Sequence, residues 1–136
     1  MDAGVKIEQV GNHRLWVEAP DSLFLDLAGD ITAKDIQELL VHVDRLGKGK
    51  GPVYFVQDLS KVGTFTAGAR KTISEDPRSS QIAVVVCVGA NFQMRVIMTM
   101  IEKTGRLLNR RLAQVRVAGT MDEARRMVAA ERMKRT

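Results

Sequence analysis

The sequence predicts an α/β domain in which a mixed sheet of five or six strands packs against about four helices. Short segments that alternate between apolar and polar residues open the chain, which is typical of strands with one buried face. From about residue 23 onward, strand-like and helix-like segments alternate, which favours a parallel sheet built from crossover helices. The 136 residues, 45% of them hydrophobic, suffice for one aliphatic core in a single domain spanning 1–136.

The first three strand segments are short and are separated by turn residues. Apolar and polar side chains alternate over residues 5–8, 14–18 and 23–27, so one side of each strand faces a core. Gly11-Asn12 and Pro20-Asp21-Ser22 carry the chemistry of turns between adjacent strands. We therefore expect antiparallel edge strands on the N-terminal side of the sheet and parallel strands in the remainder.

Helix signals and apolar strands alternate over the rest of the chain. Thr32 and Asp35 form a capping-box pattern ahead of a helix, and Gly47 stands where a left-handed cap would end it. A second capping pattern, Thr120–Glu123, opens the last helix. The core is expected over about residues 5–130, with a polar C-terminal tail that frays. The other expected elements are strands at 53–56, 82–88 and 113–117, a weak helix at 66–74 and a longer helix at 92–109.

Composition limits the classes of function. Cys87 is the one cysteine, which excludes an internal disulfide or a multi-cysteine zinc site, and its apolar neighbours indicate a buried thiol. No segment reaches the roughly 18 apolar residues that span a bilayer. The N-terminus lacks the apolar stretch of a signal peptide, so we expect a cytoplasmic protein.

Positive charge is concentrated in the last third of the sequence. The net charge is +5, but residues 1–94 hold 10 Lys/Arg and 12 Asp/Glu, whereas residues 95–136 hold 11 and 4. Such asymmetry marks either a surface for an acidic partner or solvated arginines on amphipathic helices, and the sequence leaves this open. Because the basic region lacks aromatic residues on which bases stack, we expect no nucleic-acid partner.

No catalytic or metal-binding constellation can be recognised, so we expect no enzyme activity, no cofactor and no metal. His13 lies in a predicted hairpin turn and His42 beside the apolar stripe of a helix, so both are assigned surface or boundary roles. The nucleophile-elbow, Walker and dinucleotide-binding motifs are absent. Asp26, Asp30 and Asp58 fall near predicted strand ends, where capping of the following turn is expected rather than ligand or base chemistry.

The segment Asp58–Gly68 follows a strand and opens a helix. Its D-L-S-x-V start, in that place, resembles the STAS family of anti-sigma factor antagonists and sulfate-transporter C-terminal domains. The order of elements agrees with that family from about Val5 to Val128. The chain is most similar to small bacterial SpoIIAA-like proteins of the STAS/SEC14 group, whose last helix begins T-x-x-E-A, here Thr120–Ala124. The resemblance implies a STAS-like fold and a non-enzymatic regulatory or adaptor role with a protein partner.

The same segment departs from the family at the regulatory serine. In antagonists that are regulated by phosphorylation, the loop reads D-S-S-G and a serine at the helix N-terminus is phosphorylated. Here Ala67 or Gly68 falls on that serine, depending on the alignment, and neither residue has a hydroxyl. Thr66 is the nearest candidate for phosphorylation. The resemblance therefore implies partner binding without the serine phosphoswitch.

The predicted loop and helix at 58–71 have the chemistry of a protein-binding site. A helix N-terminus offers unpaired N–H groups and partial positive charge, and basic residues one turn later favour an acidic or phosphorylated partner. The alternative is that Phe65 fills the core and Thr66 serves only as the N-cap. The candidate partner-binding residues are Asp58, Ser60, Val62, Phe65, Thr66, Gly68, Arg70 and Lys71.

The helix at 92–109 carries more apolar residues than one buried stripe requires. The helical spacing predicts that Phe92, Val96, Met100 and Ile101 share one face of this helix, and the excess of apolar residues indicates that some of them are exposed. Methionines also line adaptable binding surfaces. The second hypothesis, from the SEC14 side of the resemblance, is therefore a lipid or small apolar ligand bound on residues 92–108. The candidate surface is Phe92, Met94, Ile97, Met98 and Ile101.

An exposed first or last strand could also pair with a second copy of the chain across a two-fold axis, since open sheet edges invite partners. A homodimer is therefore one candidate assembly, and the sequence does not decide the oligomeric state.

Overall fold

The sheet has six strands among the described residues, and they lie side by side in chain order. A computed structural model describes residues 6–18, 20–107 and 113–135, except for the side chains of 104–107. Neighbours are antiparallel from the first strand to the third and parallel from the third to the sixth, which confirms the predicted fold class. The strands are β1 (Glu8–Val10), β2 (His13–Glu18), β3 (Ser22–Ile31), β4 (Val53–Phe65), β5 (Ile82–Val88) and β6 (Gln114–Ala118).

Four α-helices cover the sheet in the described part of the chain. They are α1 (Ala33–Gly47), α2 (Ala67–Glu75), α3 (Phe92–Leu107) and α4 (Met121–Lys134), and a 3-10 turn at Pro77–Gln81 follows α2. The first three helices each connect two adjacent parallel strands, as crossover connections do. They share one apolar core with one face of the sheet, whereas α4 packs on the other face.

The alternation of side chains along β3 and β4 builds both cores. Leu23 and Leu25 face α1, α2 and α3, whereas Phe24 between them faces α4. In β4, Phe55 lies on the same side as Leu23 and Leu25, and Tyr54 lies on the α4 side with Phe24. All of these side chains are buried, because strands inside a sheet covered on both faces have no wet side. The apolar strand predicted at 82–88 is β5, and Cys87 within it is buried, as predicted.

The capping box predicted for α1 is present. The Asp35 N–H donates to the Thr32 hydroxyl at 3.2 Å, and the Thr32 N–H donates to the Asp35 carboxylate at 3.1 Å. The predicted end of the helix is wrong by one residue. Gly47 is its last helical residue, and the left-handed conformation falls on Lys48, with φ of 54°. A Cβ on Gly47 would overlap the Gln81 side chain, so packing explains this glycine.

Two ion pairs fasten α4 across the sheet. Arg125 donates two hydrogen bonds of 3.0 Å to Glu18 and lies 5.1 Å above the Phe24 ring. Arg132 binds Asp21 through two nitrogens. Arginine forks of this kind are geometrically specific, and here they join the last helix to β2 and the start of β3. Part of the basic C-terminal charge is thus neutralised within the fold.

The helix α4 continues where the sequence analysis expected a frayed tail. Helical hydrogen bonding runs to Lys134, and Glu131 is buried among Arg116, Lys134 and Arg135. The pairs with Lys134 and Arg135 are local to the helix, whereas the contact with Arg116 of β6 depends on the fold and had no signal in the polar sequence after residue 130. The hydrogen bond from Arg135 is the main reason that the pKa of Glu131 lies below its ordinary value, against the opposing effect of burial.

The surface role expected for His13 is wrong, because the ring is completely buried in β2. Its Nδ1 accepts the Ala28 N–H at 3.1 Å, which leaves Nε2 as the protonated nitrogen that donates to Asp35 at 3.1 Å. One imidazole thereby joins β2, β3 and the N-terminus of α1. Burial raises the pKa of Asp35, but hydrogen bonds from Thr32 and His13 outweigh it and lower the pKa below its ordinary value.

None of the described helices is long and apolar enough to cross a membrane. Within residues 6–18, 20–107 and 113–135, no group of three or more His, Cys, Asp or Glu side chains converges in a way that could hold a metal ion.

Replacement of His13 by Ala should lower the free energy of unfolding by about 2–4 kcal/mol, because it leaves a buried N–H and a carboxylate without their partner. Urea unfolding measures this change. The matched control is His42→Ala, which removes a half-buried ring whose ion-pair partner is Glu8 and should cost less than about 1 kcal/mol. Equal losses in the two variants would contradict the role given to His13.

Replacement of Glu18 by Gln should weaken the acid sensitivity of the fold. Hydrogen bonds from Arg125 lower the pKa of Glu18 below its ordinary value, against the opposing effect of burial. A carboxyl with a depressed folded-state pKa stabilises the protein above its unfolded-state pKa, and this contribution is lost as the pH falls through the folded value. The free energy of unfolding of Glu18→Gln should therefore change less between pH 7 and pH 3 than that of the unmodified protein.

The control for this measurement is Asp122→Asn, which removes the other, mostly exposed partner of Arg125. It should leave the pH dependence nearly unchanged, because exposed pairs contribute little. If the free energy of unfolding of Glu18→Gln still fell as steeply with acid as that of the unmodified protein, the Arg125–Glu18 ion pair would not stabilise the fold.

Candidate functional site

The segment expected to be a loop is largely strand. The sequence predicted that the strand ends at Gln57–Ser60, but β4 continues to Phe65 beside β3. Lys61 lies opposite Ala28 and Phe65 opposite Ile31 in the parallel register, which shifts twice over this stretch. The extension after Asp58 pairs with β3 alone, because Asp58 is the last residue of β4 that pairs with β5. Its residues are mostly polar or glycine, so the sequence did not predict a strand there.

The acidic residue at the start of the candidate site binds backbone two residues further along β4. The Asp58 carboxylate accepts the Ser60 N–H at 2.9 Å and the Ser60 hydroxyl at 2.7 Å, so it has the capping role that the sequence analysis preferred. Asp30 accepts the Thr64 N–H at 3.1 Å from the neighbouring strand. Both carboxylates therefore hold backbone in place at this edge of the sheet.

The loop after β5 comes close to this stretch of β4. Gly89 has φ of 73°, and a Cβ there would lie 3.1 Å from the Cβ of Ser60. Glycine is therefore required both by conformation and by space. Asn91 then caps α3 by accepting the Met94 N–H at 2.8 Å. The start of α3 is thus held beside Asp58 and Ser60.

The N-terminus of α2 completes the site. Thr66 is the N-cap, and its hydroxyl accepts the Ala69 N–H at 3.1 Å, while its own N–H donates to Ile31 at 3.1 Å. Arg70 turns back and donates to the Phe65 carbonyl at 2.9 Å. Lys71 beside it is exposed. The predicted start of this helix is confirmed, and Thr66 has the capping role given in the alternative interpretation.

The apolar face of α3 that the helical spacing predicts points mostly to solvent. Phe92, Val96 and Met100 are 80%, 41% and 54% exposed, whereas Met94 and Met98 are buried. Three apolar residues spaced by four therefore form a line along the outer side of the helix, here called the α3 stripe. The spacing correctly predicted that these residues share a face, but amphipathic periodicity alone did not distinguish the inner face of a helix that is apolar on both sides.

A small cavity of about 220 Å³ lies between the end of β4, α2 and α3. Phe65 and Met94 contribute to its lining, together with Arg70 and Ile97. Drug-sized ligands occupy cavities of roughly 300–1,000 Å³, so this cavity suits a single side chain or a small group.

Most of the predicted partner-binding residues meet at one end of the sheet. Asp58, Ser60, Val62, Thr66, Gly68, Arg70 and Lys71 lie along the extension of β4 and the first turn of α2, with exposed or half-buried side chains where they have one. Phe65 is the exception, because its ring is buried in the core and offers no surface contact. Of the candidate apolar-ligand residues, Met94 and Met98 are buried in that core, Ile97 and Ile101 pack against it, and Phe92 is exposed.

Sequence reasoning missed several residues that shape the site. Asn91 was overlooked as the cap of α3, although asparagine before an apolar helical segment is a recognised start signal. Gly89 after an apolar strand was a weaker signal, because its positive φ and its approach to Ser60 depend on the folded arrangement. Exposure of Val96 and Met100 had no local signal.

Positive side chains surround the site. Lys61, Arg70, Lys71 and Arg95 project from β4, α2 and α3, although Lys61 lies 3.9 Å from the Asp26 carboxylate. The nearby carboxylates Asp30 and Asp58 accept backbone hydrogen bonds. The arrangement favours contact with an acidic surface.

The Cys87 thiol contributes no nucleophile to this region. Burial raises its pKa, against a smaller lowering by the hydrogen bond from Gln57. A thiol held protonated in an apolar strand is chemically inert.

Comparison with known proteins supports the fold. No protein-family model and no curated protein matches the chain. The chain is similar to an uncharacterized protein from the DUF3478 family of Shewanella loihica PV-4 with a SpoIIAA-like fold, with a TM-score of 0.56, 11% identity and 89% coverage of each chain. It is also similar to the anti-sigma factor antagonist SpoIIAA in its unphosphorylated form, with a TM-score of 0.53, 8% identity and coverage of 96% of this chain and 98% of that one. The chain therefore has a STAS-like fold of the SpoIIAA type, as the resemblance implied.

Replacement of Thr66 by Ala should lower the free energy of unfolding by about 1 kcal/mol, because the first turn of α2 loses its cap. Thr66→Ser retains a hydroxyl at the same position and should retain most of the stability. Urea unfolding of both variants measures the difference. A loss in Thr66→Ser as large as in Thr66→Ala would show that the hydroxyl does not support the helix.

Proposed function

We propose that this chain is a non-enzymatic regulatory or adaptor domain that binds a protein partner at the end of the sheet formed by β4, α2 and α3. The observation that carries the proposal is the α3 stripe, in which Phe92 is 80% exposed at the first position of the helix. A contiguous line of exposed apolar side chains is typical of a surface that a partner covers.

The surface around Phe92 supports recognition of a protein rather than of a small molecule. Val96 and Met100 continue the apolar stripe over two further turns, which gives an elongated contact instead of an enclosed pocket. Ser60 and Lys71 lie on the neighbouring β4 and α2 and contribute polar groups at its margin. An apolar centre with a polar rim is the usual anatomy of a protein interface.

The charges at this end of the molecule favour an acidic partner. Lys71 and Arg95 are exposed there, and like charges on a partner would be repelled. The similarity to a protein named as an anti-sigma factor antagonist supports the same class of role, a regulator that acts by binding.

The proposal does not include the serine phosphoswitch that the resemblance would otherwise imply. Ala67 and Gly68 occupy the first turn of α2 without a hydroxyl. Phosphorylation of Thr66 remains a prediction. Mass spectrometry of the protein from its native cells would test it. The Thr66 hydroxyl is half-buried and engaged as the helix cap, so modification there would act on the N-terminus of α2 directly.

Binding of a lipid or small apolar ligand stays a prediction that no specific observation favours. Two of the five proposed contact residues, Met94 and Met98, are core residues, and the adjoining cavity of about 220 Å³ is too small for an acyl chain and headgroup.

The proposal predicts that Phe92→Asp abolishes most partner binding. A partner captured from native cells and identified by mass spectrometry would be purified, and its dissociation constant measured by calorimetry. Loss of a central apolar contact of about 2 kcal/mol should weaken binding roughly 30-fold. Lys71→Glu should weaken it as well, by introducing a charge that repels an acidic partner.

The matched control is Ile7→Asp, which places the same charge on an exposed apolar residue that is 57% accessible beside the other edge of the sheet. It should bind as the unmodified chain does. Equal weakening by Ile7→Asp and Phe92→Asp, or undiminished binding by Phe92→Asp, would refute the proposed surface.

A further inference from the structure

A second cavity, of about 440 Å³, opens at the opposite end of the parallel strands. It lies where β4, β5 and β6 begin, between the loop after α1 and the C-terminal end of α4. None of the residues that carry the proposed function contributes to it. The lining residues are Lys50, Pro52, Ser80, Gln81, Ile82, Ala83, Gln114 and Arg135.

Lys50 supplies the first positive charge of this cavity. Its ammonium group has no hydrogen-bond or ion-pair partner among the described residues, and the side chain is exposed. The loop that carries it is internally ordered, because the N–H groups of Lys50 and Gly51 both donate to Gly47 at 3.0 Å. These two backbone N–H groups are therefore not available to a ligand, and the loop contributes the Lys50 side chain to the cavity.

Arg135 supplies the second charge from the other end of the sequence. Its Nη1 donates to the Glu131 carboxylate at 3.0 Å and to the Glu131 carbonyl at 3.4 Å, and the guanidinium lies 6.0 Å from the centre of the Tyr54 ring. Nε and Nη2 have no hydrogen-bond partner in the described part of the protein. Glu131 is shared with Arg116 and Lys134, so three cations surround one carboxylate. The charge at this end of α4 is consequently not neutralised.

The remaining polar groups add further capacity to bind an anion. The Gln114 carbonyl oxygen accepts from Arg116 at 2.7 Å, and its amide nitrogen stays available as a donor. No carboxylate lies among the lining residues, which are all described. No aromatic ring lines the cavity either, so a nucleobase would find no stacking partner.

We propose that this cavity binds the phosphate group of a small phosphorylated molecule. Phosphate carries close to two negative charges and several acceptor oxygens, which matches the open guanidinium nitrogens of Arg135, the ammonium of Lys50 and the amide of Gln114. Pro52 and Ile82 give the remaining, uncharged part of such a molecule an apolar wall. The site and the partner-binding surface stand at opposite ends of the sheet and are independent.

Titration of the ¹⁵N-labelled protein with inorganic phosphate and with glycerol 3-phosphate tests the proposal. Both probes should shift the amide resonances of Lys50, Gln81 and Gln114, with saturation at a dissociation constant of about 1 mM or tighter. Tighter binding of glycerol 3-phosphate would identify an organic phosphate as the ligand class. Tighter binding of inorganic phosphate would identify the free ion and overturn the organic part of the proposal.

Lys50→Ala and Arg135→Gln should each weaken binding about tenfold, as expected for loss of one charged hydrogen bond. Lys50→Ala changes an exposed loop residue, so it tests the site even if Arg135→Gln loosens the end of α4. The matched controls Lys6→Ala and Arg126→Ala remove the same charge from exposed positions outside both sites and should bind normally.

Acetate at equal ionic strength provides the chemical control. Equal affinity for acetate and phosphate, equal weakening in the control variants, or no saturable shift at the three amides would overturn the proposal.

Discussion

The parallel pairing of β3 with β4 is the interaction on which the rest of the structure depends. These two strands stay together from Ser22 and Tyr54 to Ile31 and Phe65, well past the end of β5. The long ladder sets Thr32 and Thr66 next to each other, so α1 and α2 begin side by side and pack closely. It also carries Asp58–Phe65 out to the edge where the exposed face of α3 begins. Backbone pairing of this kind fixes position with little dependence on side chains.

The side chains at the two ends of the parallel strands differ in chemical character. At the carboxyl ends, the carboxylates of Asp30 and Asp58 accept backbone N–H groups, and the α3 stripe is exposed with cationic side chains near it. At the amino ends, Lys50 and Arg135 line a polar cavity. Between the two ends, the ion pairs of Arg125 and Arg132 fasten α4 over the sheet, so part of the basic C-terminal charge is structural.

Sequence patterns predicted the element types, because strands and helices with one buried face follow local periodicity. The caps at Thr32, Thr66 and Thr120 were also local and are present. The errors concern properties that depend on distant residues. His13 appeared as a turn residue because its partners Ala28 and Asp35 lie far away in sequence. Phe65 looked like a contact residue because the extension of β4, rich in polar residues and glycine, gave no strand signal. The outward face of α3 was decided by its packing against the core.

Amide hydrogen exchange at Thr66 is the most direct test of this account. Its N–H closes the β3–β4 ladder by donating to the Ile31 carbonyl at 3.1 Å. The account predicts that this amide is protected to a degree comparable with Val56 in the middle of β4, because both open only when the ladder separates. Exchange at the rate of an unstructured chain, while Val56 remains protected, would mean that residues 59–66 form a free loop, and would contradict the account.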